Sequence, residues 1–172
     1  LSNVVEKIVV STDSEEYARI AKTYNSEVLM RPPEICNDDA GDESYLLHFL
    51  ENYKTTWILL LRPTTPLRQP QKISDAVWKL NNMRASYHTA HISLRSSNQI
   101  HEPFQKCFWA GGRYYEPITS FEDTNKPRQS FPPMFHPNGY VDILKSSIVK
   151  KGELYGNKIV PFITPNVGEI DS

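Results

Sequence analysis

Two arginines and two threonines share one proline-stiffened loop that directly follows an apolar run. The run is Trp57–Leu61, and the loop after it contains Arg62, Thr64 and Arg68. Guanidinium groups pair with both oxygens of a carboxylate or phosphate, and hydroxyls add further donors. The loop therefore suits recognition of an acidic ligand. A rigid turn with solvated arginines fits the same residues, and the spacing alone leaves both interpretations open.

Other segments carry polar groups of the same kind. They are Arg31 before two prolines, the acids Asp38, Asp39, Asp42 and Glu43 ahead of a helical pattern, and Arg128, Gln129, Asn138 and Gly139 ahead of a strand pattern. Capping of a helix N-terminus is the simpler interpretation of the acids. We interpret Asn138-Gly139 as a turn before that strand.

Near the end of the sequence, Glu169 and Asp171 are two residues apart. In an extended segment this spacing directs both carboxylates to one side, where their oxygens could hold Mg²⁺ against a triphosphate. Two solvated surface acids give the same pattern. The five histidines lack the spacing of a zinc site on a helix.

These residues are positioned by an alternation of strand and helix patterns. Strands are predicted at Lys7–Val10, Glu27–Met30, Trp57–Leu61, Ser86–Ser93, Tyr140–Leu144 and Lys158–Ile163, with helices between the first four. Such alternation predicts an α/β fold, a three-layer α/β/α sandwich with a mostly parallel sheet. The wholly apolar run Trp57–Leu61 is typical of a central parallel strand.

In such sheets ligands bind beyond the carboxyl ends of the strands. The segment Ser11–Asp13 and the side chains of Arg31 and Arg62 all follow predicted strands. We therefore expect them to converge on one face, with Ser11, Thr12 or Asp13 also capping the first helix.

The segment 94–137 breaks the alternation and is rich in aromatic residues, with eight large rings between Phe104 and Phe135. So many rings exceed what a solvated loop tolerates. We predict that residues 1–172 form a single domain and that 94–137 is an insertion at a homodimer interface.

Composition excludes several classes of protein. The 172 residues contain 19 Lys and Arg against 20 Asp and Glu, so bulk charge does not indicate nucleic-acid binding. The longest apolar run is far shorter than the roughly 20 residues of a membrane span. Two cysteines favour a reducing, cytoplasmic setting. Seven glycines form no GxGxxG motif or P-loop.

Taken in order, six motifs resemble the acylneuraminate cytidylyltransferase family, which activates sialic acids as CMP conjugates. The motifs are Val9–Asp13, Arg31-Pro32 through Asp38-Asp39-Ala40, Leu61–Arg68, Arg128-Gln129, Asn138-Gly139 and Glu169–Asp171. The resemblance implies the nucleotide-diphospho-sugar transferase-like fold, a homodimer, and transfer of CMP from CTP to an acidic nine-carbon sugar with release of pyrophosphate.

The resemblance also implies roles for individual residues. Arg31, Asp39, Ala40 and Asp42 would bind the nucleotide; Arg62, Thr64, Arg68, Arg128, Gln129, Asn138 and Asp142 would bind the substrate; Glu169 and Asp171 would hold Mg²⁺. Arg128 would clamp the sugar carboxylate. No residue is an obvious general base.

Three departures from the family pattern concern the substrate and the metal. Arg62 stands where sialic-acid enzymes carry glutamine, Asp142 where they carry a sugar-contacting tyrosine, and Glu169 where they carry a metal-binding aspartate. The family's glycine- and lysine-rich phosphate loop lies upstream of the first motif. We therefore expect the protein to extend beyond Leu1 and Ser172, and residues 1–172 alone to fold marginally and not to turn over CTP.

Two other functions remain open. One is another sugar nucleotidyltransferase, or a nucleotide-sugar glycosyltransferase, that uses the same sheet and acidic pair. The other is a non-catalytic domain for binding or oligomerisation.

Overall fold

The computed structural model describes residues 4–37, 40–87 and 92–164. Its elements are β1 (Val9–Thr12), α1 (Glu15–Thr23), β2 (Glu27–Met30), α2 (Asp42–Asn52), β3 (Trp57–Leu60), α3 (Pro70–Tyr87), β4 (Ser93–Ile100), β5 (Phe108–Gly111), β6 (Tyr114–Pro117), α4 (Phe121–Asn125), β7 (Met134–Lys145), α5 (Ser146–Val149) and β8 (Ile159–Ile163). The α/β class is confirmed. No helix in the described ranges is long and apolar enough to cross a membrane.

The main sheet has four strands in the order β3-β7-β4-β8. Strand β7 runs antiparallel to both β3 and β4, whereas β4 and β8 are parallel. The expected mostly parallel sheet is therefore wrong: the sheet is mixed, and the partner of β3 is antiparallel. An apolar strand indicates that both of its faces are covered, and it does not fix the direction of its neighbours.

Helices cover both faces of this sheet. On one face Trp57, Leu59 and Leu61 pack against a cluster that includes Ala76 and Leu80 of α3. The intervening Ile58 and Leu60 pack on the other face, in a second cluster containing Leu46 and Leu50 of α2, Leu144 of β7 and Val149 of α5. Alternate residues of β3 thus enter two cores, which explains why the whole strand is apolar.

Strands β1 and β2 form a separate parallel pair joined by α1. Ala18 and Ala21 are the buried residues of α1. The N-cap is Ser14, whose Oγ accepts a hydrogen bond from the Tyr17 N–H at 3.3 Å. The expected cap at Ser11, Thr12 or Asp13 is therefore wrong. Thr12 supports the cap indirectly, because its Oγ1 accepts from the Ser14 N–H at 3.1 Å.

The aromatic segment is shorter than the expected 94–137. Helix α3 continues to Tyr87, so no strand covers Ser86 and Tyr87, and the fourth strand is Ser93–Ile100. At the other end, β7 already begins at Met134. Residues 101–133 lie outside the main sheet and contain the antiparallel hairpin β5–β6. Several of its rings are exposed, including Trp109 at 63% and Tyr114 at 74%.

Gly139 lies inside β7, and not in a turn before it. The β4–β7 register passes from Arg95 opposite Asp142 to Ser97 opposite Pro137, so β7 accommodates extra residues in a bulge. Gly139 adopts φ of 62° within that bulge. This left-handed conformation strains any residue that carries a Cβ.

We expect Gly139→Ala to lower the free energy of unfolding by about 1–3 kcal/mol, because the left-handed backbone strains alanine. The added methyl meets Thr65 Oγ1 at 3.5 Å, so the cost comes from the backbone and not from a clash. Urea denaturation measures this change. Gly111→Ala is the matched control, because its methyl meets nothing within 4 Å and its φ is not in the left-handed region. Equal losses for both variants would contradict the bulge argument.

Candidate functional site

Arg62, in the loop after β3, forms ion pairs with one residue of α2 and one residue of β7. Its Nη1 donates to Asp142 Oδ2 on β7 at 2.5 Å, and its Nη2 donates to the Asp42 carboxylate at the start of α2. The Tyr155 hydroxyl donates to the same Asp142 oxygen at 2.8 Å and lies 3.4 Å from Arg62 Nη2. The Arg62 guanidinium is thus already neutralised by two carboxylates of the chain.

The Arg62 cluster, formed by Arg62, Asp42, Asp142 and Tyr155, is only partly exposed to solvent. The side chain of Asp142 is 1% exposed, that of Arg62 20% and that of Asp42 31%. Burial lowers the pKa of Arg62, but hydrogen bonds to Asp142, Asp42 and Tyr155 outweigh burial and raise it. Burial and the Asp142 charge also raise the pKa of Tyr155. Arg62 therefore stays charged and Tyr155 stays a neutral phenol that donates to Asp142.

Tyr45 on α2 adds a second phenol to this cluster. Burial and a hydrogen bond with Asp42 raise the pKa of Tyr45. It too remains protonated at neutral pH.

Arg68 binds the backbone of the same region. Its Nε donates to the Tyr140 carbonyl at 2.5 Å, and its Nη2 donates to the Gly139 carbonyl at 3.0 Å and to the Arg62 carbonyl. Burial lowers the pKa of Arg68. The guanidinium thus holds the strand-end loop against the β7 bulge. Thr64 is exposed in this loop.

Both polar atoms of the Asn138 side-chain amide form hydrogen bonds within the chain. Its Nδ2 donates to Thr164 Oγ1 at 2.6 Å, and its Oδ1 accepts from the Tyr140 N–H at 3.2 Å. The residue is 4% exposed. In this structure it ties the bulge to the end of β8, and contact with a substrate stays a prediction.

A second polar group lies beyond the β1–β2 pair. Arg31 Nη2 contacts Asp13 Oδ1 at 3.0 Å, so the ends of β1 and β2 meet as predicted. The Nε of Arg31 and the Oγ of Ser11 are buried and have no hydrogen-bond partner within the described part of the chain. Ala40 donates its N–H to the Asn37 carbonyl at 3.0 Å.

Arg128 lies away from Arg62. It begins a 3₁₀ turn with the exposed Gln129, pairs with Glu102 at 3.1 Å, and lines a cavity of about 140 Å³ beside Ile100. Strands advance about 3.3 Å per residue, so the Ile100 end of β4 is about 16 Å from Arg95. Since Arg95 pairs with Asp142, Arg128 does not share the Arg62 cluster of its own chain.

The structure therefore brings Asp42, Arg62 and Asp142 together, pairs Arg31 with Asp13, and places Arg128 beside the Ile100 end of β4. Convergence of Arg31 with Arg62 on one face stays a prediction. Sequence reasoning missed Tyr45 and Tyr155, because nothing in their local sequence distinguishes them from core tyrosines. Asp39, Glu169 and Asp171 lie outside the described residues. Within residues 4–37, 40–87 and 92–164 no group of three or more His, Cys, Asp or Glu is placed to hold a metal ion. The Mg²⁺ site stays a prediction.

The α/β fold of this chain has a counterpart among solved structures. The chain is similar to the structure of CMP:2-keto-3-deoxy-manno-octonic acid synthetase complexed with CTP, with a TM-score of 0.55 and 15% identity, over 85% of this chain and 59% of that chain. Residues 1–109 match the family described as cytidylyltransferase. The chain belongs to the cytidylyltransferase family, which confirms the resemblance found in the sequence.

Curated relatives of this chain include N-acylneuraminate cytidylyltransferases. N-acylneuraminate cytidylyltransferase of Escherichia coli O18:K1:H7 is 30% identical over 99% of this chain and 40% of its own length. The enzyme of that name from Streptococcus agalactiae serotype V is 29% identical over 79% of this chain and 32% of its length. CMP-N,N'-diacetyllegionaminic acid synthase of Legionella pneumophila is 33% identical over 44% of this chain. The chain thus spans two fifths or less of the first two relatives.

Proposed function

We propose that this chain provides the nucleotide- and sugar-binding region of an enzyme that transfers CMP from CTP to an acidic nine-carbon sugar. The observation that carries the proposal is the unpaired, buried Arg31 Nε and Ser11 Oγ beyond β1–β2, in a chain of the cytidylyltransferase family. Strand ends of this kind are where α/β sheets bind nucleotides. Arg31, Asp39, Ala40 and Asp42 would contact CTP.

In the proposed reaction a sugar hydroxyl attacks the α-phosphorus of CTP. A new P–O bond forms, the bond to the β-phosphate oxygen breaks, pyrophosphate leaves, and the hydroxyl proton passes to solvent. The protein's contribution is to position the reactants and to neutralise charge. Glu169 and Asp171 offer the oxygen ligands that Mg²⁺ prefers, and the ion would neutralise triphosphate charge.

The acidic sugar would be recognised by Arg128. Arg62 and Arg68 are bound to groups of the chain itself. Arg128 faces a cavity, and its one ion pair among the residues that the structure describes is with Glu102, whose side chain is 78% exposed. Arg128 lines a cavity at the Ile100 end of β4, and that end lies about 16 Å along the strand from Arg95, the residue opposite Asp142. We therefore propose that Arg128 serves the site of a second subunit. The exposed rings of residues 101–133 would form the homodimer interface.

The test is turnover by the full-length protein with CTP and Mg²⁺. We expect N-acetylneuraminate or N,N'-diacetyllegionaminic acid to release pyrophosphate and to give a CMP-sugar detectable by ³¹P NMR. UTP is the control nucleotide. Pyrophosphate release with an eight-carbon 2-keto-3-deoxy acid alone would contradict the nine-carbon assignment. Release of a nucleoside diphosphate from a nucleotide sugar would favour a glycosyltransferase, and ligand binding without turnover a binding domain.

The proposed setting is the reducing cytoplasm. Both Cys36 and Cys107 are free thiols in the structure. Such thiols persist in a reducing compartment.

A further inference from the structure

Asp142 on β7 has an arginine on each side: one follows β3, and the other lies on β4. Arg62, after β3, holds its Oδ2. Arg95 of β4 is paired with Asp142 in the antiparallel β4–β7 register. Residues directly opposite in such a pair share a face of the sheet, with Cβ atoms about 5 Å apart. The Cβ atoms of Arg95 and Asp142 are therefore neighbours on the same face of the sheet.

Each of these two neighbours has one unused polar atom. Asp142 Oδ1 and Arg95 Nε are buried, and neither has a hydrogen-bond partner among the residues that the structure describes. One is an acceptor on an anion and the other a donor on a cation. Unpaired buried groups of this kind are rare, and an ionic one is costly.

Tyr155 holds Arg95 beside the carboxylate. The Arg95 guanidinium lies over the Tyr155 ring, 4.3 Å from its centroid. The hydroxyl of the same ring donates to Asp142 Oδ2 at 2.8 Å. Arg95 is thus stacked on the side chain that contacts Asp142.

We propose that Arg95 is a positioning residue that takes over the Asp142 carboxylate when Arg62 turns to an anionic group of a ligand. The exchange replaces one ion pair by another, so the buried carboxylate is never left without a cation. The Arg62 side chain is 20% exposed against 1% for Asp142, so it can reach a ligand. The Asp42 side chain that it releases is 31% exposed and is solvated on release.

The exchange itself follows from this cluster alone, whereas the identity of the ligand rests on the proposed function. A CTP phosphate and a sugar carboxylate both carry the oxygens that a guanidinium binds. The two sources are separated in the binding experiment below.

The first test uses urea unfolding and needs no ligand. We expect R62Q and R95Q each to lower the midpoint modestly, because the remaining arginine pairs with Asp142. The double variant R62Q/R95Q should lose much more than the sum, and adding D142N should restore most of that loss. R62Q/R84Q is the matched control and should be additive, since Arg84 lies over Trp57 instead.

Additive loss in R62Q/R95Q, or no recovery on adding D142N, would overturn the proposal. A double variant that does not fold supports the exchange if the triple variant folds. If neither folds, the loss does not arise from the stranded carboxylate, and the proposal is wrong.

The second test is calorimetric titration of the full-length protein with CTP and, separately, with N-acetylneuraminate. R95Q should weaken the ligand that engages Arg62 by about tenfold, within the usual range of coupling between sites. In the D142N background no buried carboxylate at position 142 needs a replacement cation, so adding R95Q should have no further effect. Equal weakening in both backgrounds would overturn the exchange. If neither ligand binds the unmutated protein, the proposed function fails, and the urea result alone decides the exchange.

Discussion

Arg68→Ala is expected to lower the free energy of unfolding by about 3–4 kcal/mol, because charge-assisted bonds to buried carbonyls are lost together. The guanidinium donates to the carbonyl oxygens of Arg62, Gly139 and Tyr140, and these join the loop after β3 to the β7 bulge. Without it the carbonyl oxygens lose their charged donor. Urea or thermal denaturation measures the change.

Two further variants test whether the loss arises from the bonds of the Arg68 guanidinium. Arg68→Lys should give a smaller loss, since an ammonium retains the charge but lacks the planar fork that reaches several carbonyls. Arg84→Ala removes an arginine whose contacts are with Trp57 and the Asn81 side chain, and it should cost about 1 kcal/mol or less. If Arg68→Ala left stability unchanged and instead reduced ligand affinity, the substrate-binding role predicted from the sequence would be favoured over the structural one.

Arg128→Ala is expected to weaken the acidic sugar by about 10- to 100-fold, as loss of a charge-assisted contact to a carboxylate implies. CTP affinity should be unchanged. Glu102→Ala is the matched control, because it frees Arg128 from its ion pair without removing the guanidinium. Titration with each ligand separates the effects, and equal weakening of CTP and sugar would show that Arg128 binds phosphate.

Mixing two inactive variants tests whether Arg128 acts in the second subunit. Arg31→Ala damages the nucleotide side and Arg128→Ala the sugar side. In a heterodimer, contact between subunits leaves one site with both arginines, so random pairing should restore about a quarter of the activity. Contact within one chain restores nothing. Unmixed R31A and R128A supply the baseline.

The alternation of strands and helices was predictable from the sequence because β1, β2, β3 and the first three helices have strong periodicity. Strand β4 was misplaced because its sequence is polar. Two of its buried serines form hydrogen bonds inside the protein: the Ser93 hydroxyl donates to the Tyr155 carbonyl at 2.7 Å, and the Ser96 hydroxyl accepts from the Val141 N–H at 2.9 Å. These partners are distant in sequence, so local hydrophobicity could not show that the strand is buried.

The candidate site was predictable in its residue types and not in its pairings. A guanidinium after a strand suits an anion, and Arg62 does bind anions, but they are Asp42 and Asp142 of the same chain. The latter is 80 residues away in sequence. Which carboxylate reaches an arginine depends on the antiparallel placement of β7, which the strand pattern does not encode.

The exposed β5–β6 hairpin has a practical consequence for assays. A two-stranded hairpin is marginally stable in water without a surface to pack against. If the hairpin orders on dimerisation, as we propose, specific activity will fall on dilution into the nanomolar range. The indole of Trp109, 63% exposed in the single chain, would leave water on association. Its fluorescence would then follow the same concentration dependence as activity, so each rate must be reported with the enzyme concentration at which it was measured.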